Sequence, residues 1–362
     1  MQPLRVGIVG IGNISGIYFK NLTSFGATQV VAVADIDRAR AEAAAEANNV
    51  PNVLTPDELV AHPDVDLVLN LTIPAAHGPV ALQAVRNGKH VYNEKPLSID
   101  LGQARELVQT AKEKGVRVGC APDTFLGQGI QTAISALDSG AIGTPIAATA
   151  AMRSRGPESW HPSPEFFFKP GGGPMLDMGP YYLTALAAML GPAKRTTGFV
   201  RASFPTRTVG SGPLQGQTIT VETPTHLAGV IEYASGVLAE LTTSFDVYHG
   251  WGNSIVVYGS EGTMTVPDPN NFSGDVLVRR GKDQDWAKVD PVHPFGENSR
   301  GLGVLDISKA IQEGRPHRAS GDLALHVLET MLSFEKSSTE GRHVTLETTP
   351  ERPAPMPKEG LE

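Results

Sequence analysis

A chain of 362 residues is longer than one hydrophobic core usually supports, so its length predicts two domains. Hydrophobic residues form 40% of the chain and charged residues 19%, which is typical of a globular protein and argues against a membrane-spanning one. The net charge of −8 argues against nucleic acid as a partner, because phosphate binding needs clustered Lys and Arg. Cys120 is the single cysteine, which excludes intrachain disulfides and cysteine-based metal sites. The first apolar run is too short for a secretion signal, so we expect a cytoplasmic protein.

In the first third of the chain, short apolar runs alternate with helical stretches. The predicted strands cover residues 5–9, 30–34, 65–71, 90–92 and 117–119, and predicted helices over 38–48 and 101–114 lie between them. This alternation is typical of parallel βαβ units. Residues 1–121 are therefore predicted to form an α/β domain with a doubly wound parallel sheet.

The pattern changes after Pro122. One helix over 129–137 is followed by apolar runs over 146–152, 226–233, 237–245, 255–258 and 276–279, separated by Gly, Pro and Asn turns. These runs predict an open, largely antiparallel sheet in a second α/β domain over 122–347, with helices at 303–313 and 323–334. The Pro-rich residues 348–362 are predicted to form a flexible tail.

A glycine-rich turn follows the first predicted strand and opens a helix. Gly10, Gly12, Asn13 and Ile14 would present backbone amides to a pyrophosphate, as in a Rossmann dinucleotide-binding domain. Ser15 stands where that fingerprint has its third glycine, which lowers the specificity of the match. The alternative is a glycine-rich turn that binds no ligand.

Two charged residues bear on the choice of dinucleotide. Asp35 ends the second predicted strand, where an acidic side chain hydrogen-bonds the adenosine ribose and repels a 2′-phosphate, so NAD is the predicted cofactor. Arg38 could instead reach a 2′-phosphate, which leaves NADP possible. The alternative for Arg38 is a place on a solvated helix face.

Two further motifs follow strands of the predicted parallel sheet. Thr72, Ile73 and Pro74 lie at the carboxyl end of a strand, where open α/β sheets bind ligands, so we expect them to contact the cofactor. His77 is a further candidate cofactor contact, although it could equally cap the following helix.

Glu94–Lys95–Pro96 follows the short strand at 90–92 and would lie at the same carboxyl edge, near the nicotinamide. There the Lys95 ammonium could bind a substrate hydroxyl and lower its pKa, or polarise a carbonyl in the reverse direction. The alternative is an exposed lysine in a tight turn.

A run of three glycines leads to Asp177 and Tyr181. If a helix begins near Asp177, helped by Pro180, these two side chains share one face because they are four residues apart. They could then act together on a substrate. The alternative is a helix cap and a core tyrosine.

Taken together, the glycine turn, Thr72 before Pro74 and His77, Glu94–Lys95–Pro96 and the glycine run before Asp177 resemble the Gfo/Idh/MocA oxidoreductases. This family includes glucose-fructose oxidoreductase and inositol dehydrogenase. The resemblance implies a Rossmann domain followed by a domain whose open sheet builds dimers or tetramers, so we expect a homodimer or homotetramer. It also implies a sugar, cyclitol or sugar derivative as substrate. The sequence has no His/Glu spacing of a metalloenzyme, so we expect no metal.

In the family pattern, the lysine of the Glu-Lys-Pro motif acts with an aspartate that is followed four residues later by a histidine. Lys95 and Asp177 match this pattern, whereas Tyr181 stands in place of the histidine. This departure puts the proton carrier in doubt, because tyrosine ordinarily titrates near pH 10 and histidine near 6.5. The predicted catalytic residues are Lys95, Asp177 and Tyr181.

Further substrate contacts are predicted at the domain junction and in the loop before the glycine run, where polar and aromatic groups suit a carbohydrate. They are Asp123, Thr124, Arg155, Trp160 and His161, and His249 is a possible backup base. Two other functions stay open at this stage. One is a non-catalytic NAD(P)-binding sensor, and the other is an NADPH-dependent carbonyl or enone reductase.

Overall fold

The computed structural model describes residues 2–248, 250 and 254–361. These residues divide into two compact units. The first unit contains the chain up to Gly127, His293–Leu328 and the stretch from Pro353 onward, and the second contains Gln128–Val292 and Glu329–Arg352. Within this described part, no helix is long and apolar enough to span a bilayer.

Alternating strands and helices form most of the first unit. They are β1 (Leu4–Val9), α1 (Ser15–Ser24), β2 (Thr28–Ala34), α2 (Arg38–Asn48), β3 (Asn52–Leu54), α3 (Pro56–Ala61), β4 (Leu67–Asn70), α4 (Pro74–Arg86), β5 (His90–Asn93), α5 (Leu101–Lys114) and β6 (Val118–Cys120). The sheet is parallel, with strand order β3-β2-β1-β4-β5-β6. This order confirms the predicted doubly wound Rossmann arrangement.

The central strands of this sheet are buried on both faces. Val6, Ile8 and Leu69 have no exposed surface, as expected where helices cover both sides of a parallel sheet. Helix starts follow local chemistry as well. The Thr55 hydroxyl accepts from the amide of Glu58, and the Glu58 carboxylate accepts from the amide of Thr55, which together begin α3.

Most strands of the second unit join in one large sheet. The remaining elements are α6 (Gln128–Asp138), β7 (Pro145–Arg153), α7 (Gly173–Leu190), β8 (Ala193–Arg201), β9 (Thr206–Thr208), β10 (Thr218–Thr220), β11 (His226–Tyr233), β12 (Leu238–Ser244), β13 (Ile255–Gly259), β14 (Gly262–Val266), β15 (Leu277–Arg280), β16 (Ala287–Lys288), α8 (Leu302–Glu313), α9 (Gly321–Glu340) and β17 (Val344–Thr345). The sheet order is β16-β15-β14-β13-β7-β12-β11-β8-β17. Only the β7–β12 pair is parallel among these described neighbours, so the predicted, largely antiparallel sheet is confirmed.

Helices cover one face of this sheet. Helix α7 packs against β7, β11 and β12, and the later half of α9 packs on β8 and β11. A Cβ at Gly229 would lie 2.5 Å from the ring of Phe334, so only glycine lets the helix approach β11 this closely. The resulting core contains the fully buried side chains of Ile231 and Leu186.

The opposite face of the sheet carries exposed apolar side chains. Successive pairings across β8, β11, β12, β7 and β13 place Phe199, Val230, Leu238 and Tyr258 on this face. Phe199 is 80% exposed and Leu238 is 53% exposed. Apolar side chains grouped on one face of a sheet are typical of a surface that another molecule covers.

The structural units differ from the predicted domains at both ends of the second domain. The first unit continues to Gly127, beyond the predicted boundary at 121. It also includes the later segment His293–Leu328, so α8 belongs to the first unit. Residues 348–362 do not behave as the predicted flexible tail, since Met356 and Leu361 are buried. The Arg318 guanidinium donates to the carbonyls of Ala354 and Pro355, at 3.0 Å each. Proline removes backbone donors but keeps its carbonyl acceptors, which this arginine uses.

Candidate functional site

The glycine-rich turn between β1 and α1 leaves the amino terminus of α1 open. Gly10 has a φ of +94°, and a Cβ there would lie 2.7 Å from the backbone of Leu71. A Cβ at Gly12 would meet no atom within 4 Å, and the N-cap residue Ile14 makes no side-chain cap. Ser15 donates its hydroxyl to the Gly12 carbonyl at 2.8 Å, so it packs in the place of the third glycine. The turn, with Asn13 in its middle, fits a dinucleotide pyrophosphate on open backbone amides.

Asp35 follows β2 and its carboxylate is fixed by two backbone amides. Oδ2 accepts from the amide of Ile11 at 2.7 Å, and Oδ1 accepts from the amide of Asp37 at 2.8 Å. The bond to Ile11 ties this carboxylate to the glycine turn. A negative charge therefore stands beside the place offered to the dinucleotide, where it suits a ribose hydroxyl and disfavours a 2′-phosphate.

The cations near Asp35 differ from the sequence-based expectation. Arg38 pairs with Glu42 along α2 at 2.8 Å and is exposed, as in the alternative of a solvated helix face. Arg40, which sequence reasoning missed, lies 3.7 Å from Asp35. Arg40 is one helical turn further along from Asp37, a spacing that could have identified it.

Two buried asparagines end the neighbouring strands β4 and β5. Asn70 ends β4 and Asn93 ends β5, and the Asn70 side chain donates to Asn93 Oδ1 at 3.1 Å. Both side-chain amides also donate to the carbonyl of His77, at 3.1 and 3.3 Å, and Asn70 accepts from the Thr72 hydroxyl at 2.6 Å. Beyond this network Ile73 is 69% exposed. Sequence reasoning missed the pair, although an asparagine at the end of each of two consecutive buried strands was a signal.

The imidazole of His77 lies inside the protein between two loops. It is 1% exposed, with Nδ1 2.7 Å from the carbonyl oxygen of Pro96 and Nε2 2.9 Å from that of Thr72. Burial lowers the pKa of His77, although both carbonyls oppose that effect. The ring is thus occupied within the protein, and it neither caps α4, which begins at Pro74, nor faces outward as a cofactor contact would.

Lys95 follows β5 on a backbone that is fixed on both sides. Its amide donates to Glu94 Oε2 at 3.0 Å, and the next carbonyl, that of Pro96, is the one bound by His77. Glu94 Oε1 accepts from the Tyr18 hydroxyl at 2.7 Å. Burial and the Glu94 charge raise the pKa of Tyr18 well above its ordinary value, so this hydroxyl stays a donor. The half-buried Lys95 side chain therefore starts from a rigid loop at the carboxyl edge of the sheet.

Asp123 and Thr124 lie buried in the first unit. Asp123 Oδ2 accepts from the amides of Gly301 and Gly303, at 2.8 and 3.0 Å, at the start of α8. Burial raises the pKa of Asp123 to about 6, although the hydrogen bonds from these two amides favour the carboxylate and lower the pKa. The structure thus gives Asp123 a use in joining α8 to the chain. Among the described residues, the buried Thr124 hydroxyl has no hydrogen-bond partner.

In the second unit, Asp177 and Tyr181 lie on α7. The helix begins at Gly173, earlier than predicted, because Pro174 takes the first-turn position that Pro180 was expected to fill. Gly173 has a φ of +84°, which the chain uses to enter the helix. Asp177 and Tyr181 therefore lie one turn apart on the same helix face, as predicted. Asp177 is partly exposed and Tyr181 is 8% exposed.

The loop before α7 presents aromatic rings. Trp160 is 67% exposed and Phe166 is 48% exposed. The His161 ring stands edge-on to both, with 5.4 Å between the ring centres of His161 and Trp160 and 5.5 Å between those of His161 and Phe166. His161 Nδ1 accepts from the amide of Ser163 at 3.1 Å, so its proton lies on Nε2 when the ring is neutral. Exposed rings beside an imidazole donor suit a sugar, which has an apolar face and hydroxyl acceptors.

Arg155 also lies in this unit, over the rings of Phe204 and Tyr248. The possible backup base His249 falls outside the described residues. The further substrate contacts predicted in the second unit, Arg155, Trp160 and His161, all lie between β7 and α7.

Comparison with family models assigns both parts of the chain. Residues 4–121 match the model described as "Oxidoreductase family, NAD-binding Rossmann fold". Residues 130–265 match the "GFO/IDH/MocA C-terminal domain". Together they cover the glycine turn, the lysine loop and α7.

Individual proteins agree with these models. The chain is 30% identical over 274 residues to dTDP-3,4-didehydro-2,6-dideoxy-alpha-D-glucose 3-reductase of Streptomyces violaceoruber, covering 74% of this chain and 73% of that one. It is 26% identical to 1,5-anhydro-D-fructose reductase of Ensifer adhaerens, covering 95% and 99% of the two chains. The crystal structure of an NAD binding oxidoreductase from Klebsiella pneumoniae has the same fold, with a TM-score of 0.83, 22% identity and coverage of 95% and 99%.

Proposed function

This chain belongs to the Gfo/Idh/MocA oxidoreductase family, with an NAD-binding Rossmann domain, and on that premise we propose which reaction it performs. It transfers a hydride between NAD and a secondary alcohol or ketone of a sugar, cyclitol or sugar derivative, in the cytoplasm. The observation that carries the proposal is Lys95, whose backbone is fixed through Glu94 and Pro96 at the carboxyl edge of the NAD-binding sheet. Two relatives support the substrate class, since their names describe reductases of sugar-derived ketones.

The proposed roles follow from the chemistry of the side chains. A bound NAD would supply the hydride acceptor for the alcohol carbon, and NADH would supply the hydride donor for the ketone. Lys95 donates to the substrate oxygen and stabilises the alkoxide that forms as the proton leaves. Tyr181 Oη accepts that hydroxyl proton while its own proton passes to solvent, and the steps reverse for reduction. Asp177 accepts from a neighbouring substrate hydroxyl and so orients the sugar.

The proposed cofactor contacts are the backbone of Gly10, Gly12, Asn13 and Ile14, with Asp35 at the ribose. Because Arg38 is paired with Glu42 and Asp35 stands beside the glycine turn, NAD is favoured over NADP. We expect kcat/KM for NAD to exceed that for NADP by about tenfold or more.

Nicotinamide absorbance with a panel of monosaccharides, anhydrosugars, glycosides and cyclitols tests the proposal, with NAD and NADP compared. Turnover of one polyol should fall by about 10²- to 10⁴-fold in kcat in Lys95→Ala, and by at least about tenfold in Tyr181→Phe. Cofactor binding without turnover across the panel would favour the non-catalytic sensor. Reduction of enones with NADPH alone would favour the carbonyl or enone reductase.

We also propose that the protein is a homodimer or homotetramer joined through the exposed sheet face. The support is that Phe199, Val230, Leu238 and Tyr258 lie exposed on this face, where a second copy would cover them. Light scattering on the wild type and on Phe199→Glu tests this. A smaller mass for the variant is expected, and a monomeric wild type would contradict the proposal.

A further inference from the structure

Arg155 has an unusual setting in the second unit. Its guanidinium carbon lies 5.1 Å from the ring centre of Phe204 and 4.7 Å from that of Tyr248. Both rings are themselves exposed, Phe204 by 42% and Tyr248 by 73%. Two aromatic faces thus restrict the guanidinium and hold it at the surface, where a cation is attracted to both rings.

The guanidinium of Arg155 donates to no acceptor among the residues that the structure describes, and its Nη1 is buried without a partner. Arginine carries several donors in a planar group, and a partly buried one ordinarily meets a carboxylate or phosphate. No described carboxylate forms a hydrogen bond or an ion pair with this guanidinium. An anionic ligand would supply the acceptor that the guanidinium lacks.

The two neighbouring carboxylates each pair with another arginine, through Oε1 of Glu158 and Oδ1 of Asp246, while Oε2 of Glu158 has no hydrogen-bond partner among the described residues. Arg207 is buried and donates to Glu158 at 2.8 Å and to Asp246 at 2.7 Å, and its Nη2 reaches the carbonyl of Arg155. Arg207 and its two carboxylates carry one net negative charge, and Arg207 also donates to the carbonyls of Arg155 and Phe245, which ties the loops after β7 and β12 together. Arg155 is therefore positioned by this cluster through its main chain, while its side chain remains available to a ligand.

Arg155 lies at the end of the second unit where α7 begins. It follows β7, and Tyr248 follows the parallel neighbour β12, so both loops leave the same edge of the sheet. The loops are joined by a hydrogen bond of 2.9 Å from the Ser154 amide to the Ser244 carbonyl. The ring of Phe168, shortly before α7, lies 6.2 Å from that of Phe245 after β12. The residues leading into Asp177 therefore pack against the same loop cluster.

We propose that Arg155 binds an anionic group of the substrate, and that the substrate is a sugar derivative bearing a carboxylate or a phosphate. This inference rests on the proposed function and adds the substrate charge to it. The planar guanidinium pairs with either group through two parallel hydrogen bonds. The chain carries a net charge of −8, so an acidic substrate needs such a local cation against the overall repulsion.

The test compares neutral and acidic forms of the same sugars: glucose, glucuronate and glucose 6-phosphate, and galactose and galacturonate. We expect kcat/KM for one acidic form to exceed that for its neutral counterpart by at least about tenfold in the wild type. Arg155→Gln should bring this ratio close to one, mainly through KM, and Arg155→Lys should restore part of it. Arg153→Gln, which removes an exposed arginine at the end of β7, is the matched control and should leave the ratio unchanged. Added salt should raise KM for the acidic sugar in the wild type only.

The inference would be overturned if the wild type preferred neutral sugars, or if Arg155→Gln lowered kcat/KM equally for the acidic and the neutral sugar. Arg155 would then only stack on the rings of Phe204 and Tyr248. The acidic sugar with the highest kcat/KM in the wild type shows whether Arg155 prefers a carboxylate or a phosphate. If no sugar is turned over, thermal unfolding with glucuronate or glucose 6-phosphate separates the two proposals. Stabilisation of the wild type that is absent in Arg155→Gln would support anion binding while the hydride-transfer proposal fails, and no stabilisation by either compound would refute anion binding as well.

Discussion

The lysine loop of the first unit and the aromatic loops of the second unit are built in opposite ways. Around Lys95, the side chains of Asn70, His77 and Asn93 are buried, and they bind backbone carbonyls and one another. Around Trp160, the rings are exposed and are held by edge-on contacts. The first region is rigid through hydrogen bonds, while the second leaves aromatic surface open to solvent.

This difference separates two requirements of a hydride-transfer enzyme. A group that stabilises developing charge must be held in place before the substrate arrives, because reorganisation during the reaction costs rate. A surface that selects the substrate must instead leave donors and apolar area available to it. Variants in the two regions should therefore separate loss of fold, loss of cofactor binding and loss of substrate affinity.

The largest effect is expected at the glycine turn. Gly10→Ala places a Cβ 2.7 Å from the Leu71 backbone at a φ of +94°, so strain and overpacking together should cost about 4 kcal/mol of unfolding free energy. Gly12→Ala meets no atom within 4 Å, so its free energy of unfolding should stay within about 1 kcal/mol while NADH binding weakens about tenfold or more. Denaturant unfolding and NADH fluorescence titration measure both. Equal stability losses in the two variants would contradict this account of the turn.

His77→Leu should come next, because it removes the imidazole that lies between the carbonyls of Pro96 and Thr72 and donates its single N–H to one of them. We expect a loss of about 2–4 kcal/mol in unfolding free energy. The freed loop should also expose Lys95, so that an amine-acylating reagent labels this lysine several-fold faster, as followed by peptide mass spectrometry.

A matched control for His77→Leu is Thr28→Val at the start of β2. This change removes a buried hydroxyl that donates to the Leu22 carbonyl at 2.8 Å. This variant should lose stability without changing the labelling of Lys95. If both variants accelerate labelling equally, His77 supports the fold generally and does not position the lysine loop.

Asp123→Asn should change how stability depends on pH. The pKa of Asp123 is raised from 3.8 to about 6 in the folded chain, so the folded state holds its proton more tightly than the unfolded state. The resulting stability is complete below the unfolded pKa and is lost as pH rises through about 6, by about 3 kcal/mol in all. Asparagine cannot ionise, so the variant lacks this loss. Between pH 4 and 6.5 its free energy of unfolding, measured with urea, should therefore rise relative to that of the wild type. Parallel curves over that range would show that Asp123 ionises at its ordinary pKa.

The regular part of the first unit could be predicted from sequence because periodicity and caps are local. Helices over 38–48 and 101–114 agree with the structure residue for residue. The short strand β3 was not predicted, since three residues carry too little pattern, and β8 was not predicted because its sequence mixes charged and small residues with one exposed phenylalanine. The start of α7 was misplaced because two prolines in its first turns both resemble start signals.

The role of His77 illustrates what the sequence could not show. Both of its ring nitrogens lie against backbone carbonyls, one of them 19 residues away, and a carbonyl leaves no trace in residue identity. Arg155 was predicted as a substrate contact, but its lack of an acceptor depends on Arg207 holding the local carboxylates, which only the folded loops reveal. Interactions with the backbone, and donors that have no acceptor after other pairs form, are therefore the features that required the structure.

The smallest effect on stability is expected in the aromatic loop. Because Trp160 is 67% exposed, Trp160→Ala should change the free energy of unfolding by no more than about 0.5 kcal/mol. If its ring lies against the apolar face of the sugar, KM should rise about three- to tenfold with kcat nearly unchanged, because the contact is the same in the ground state and the transition state. Trp286→Ala removes another exposed tryptophan, at the β16 edge of the sheet, and serves as the control. If neither change alters KM, the ring of Trp160 is not part of the sugar-binding surface. The proposed substrate contacts of the second unit would then be Arg155 and the residues of α7.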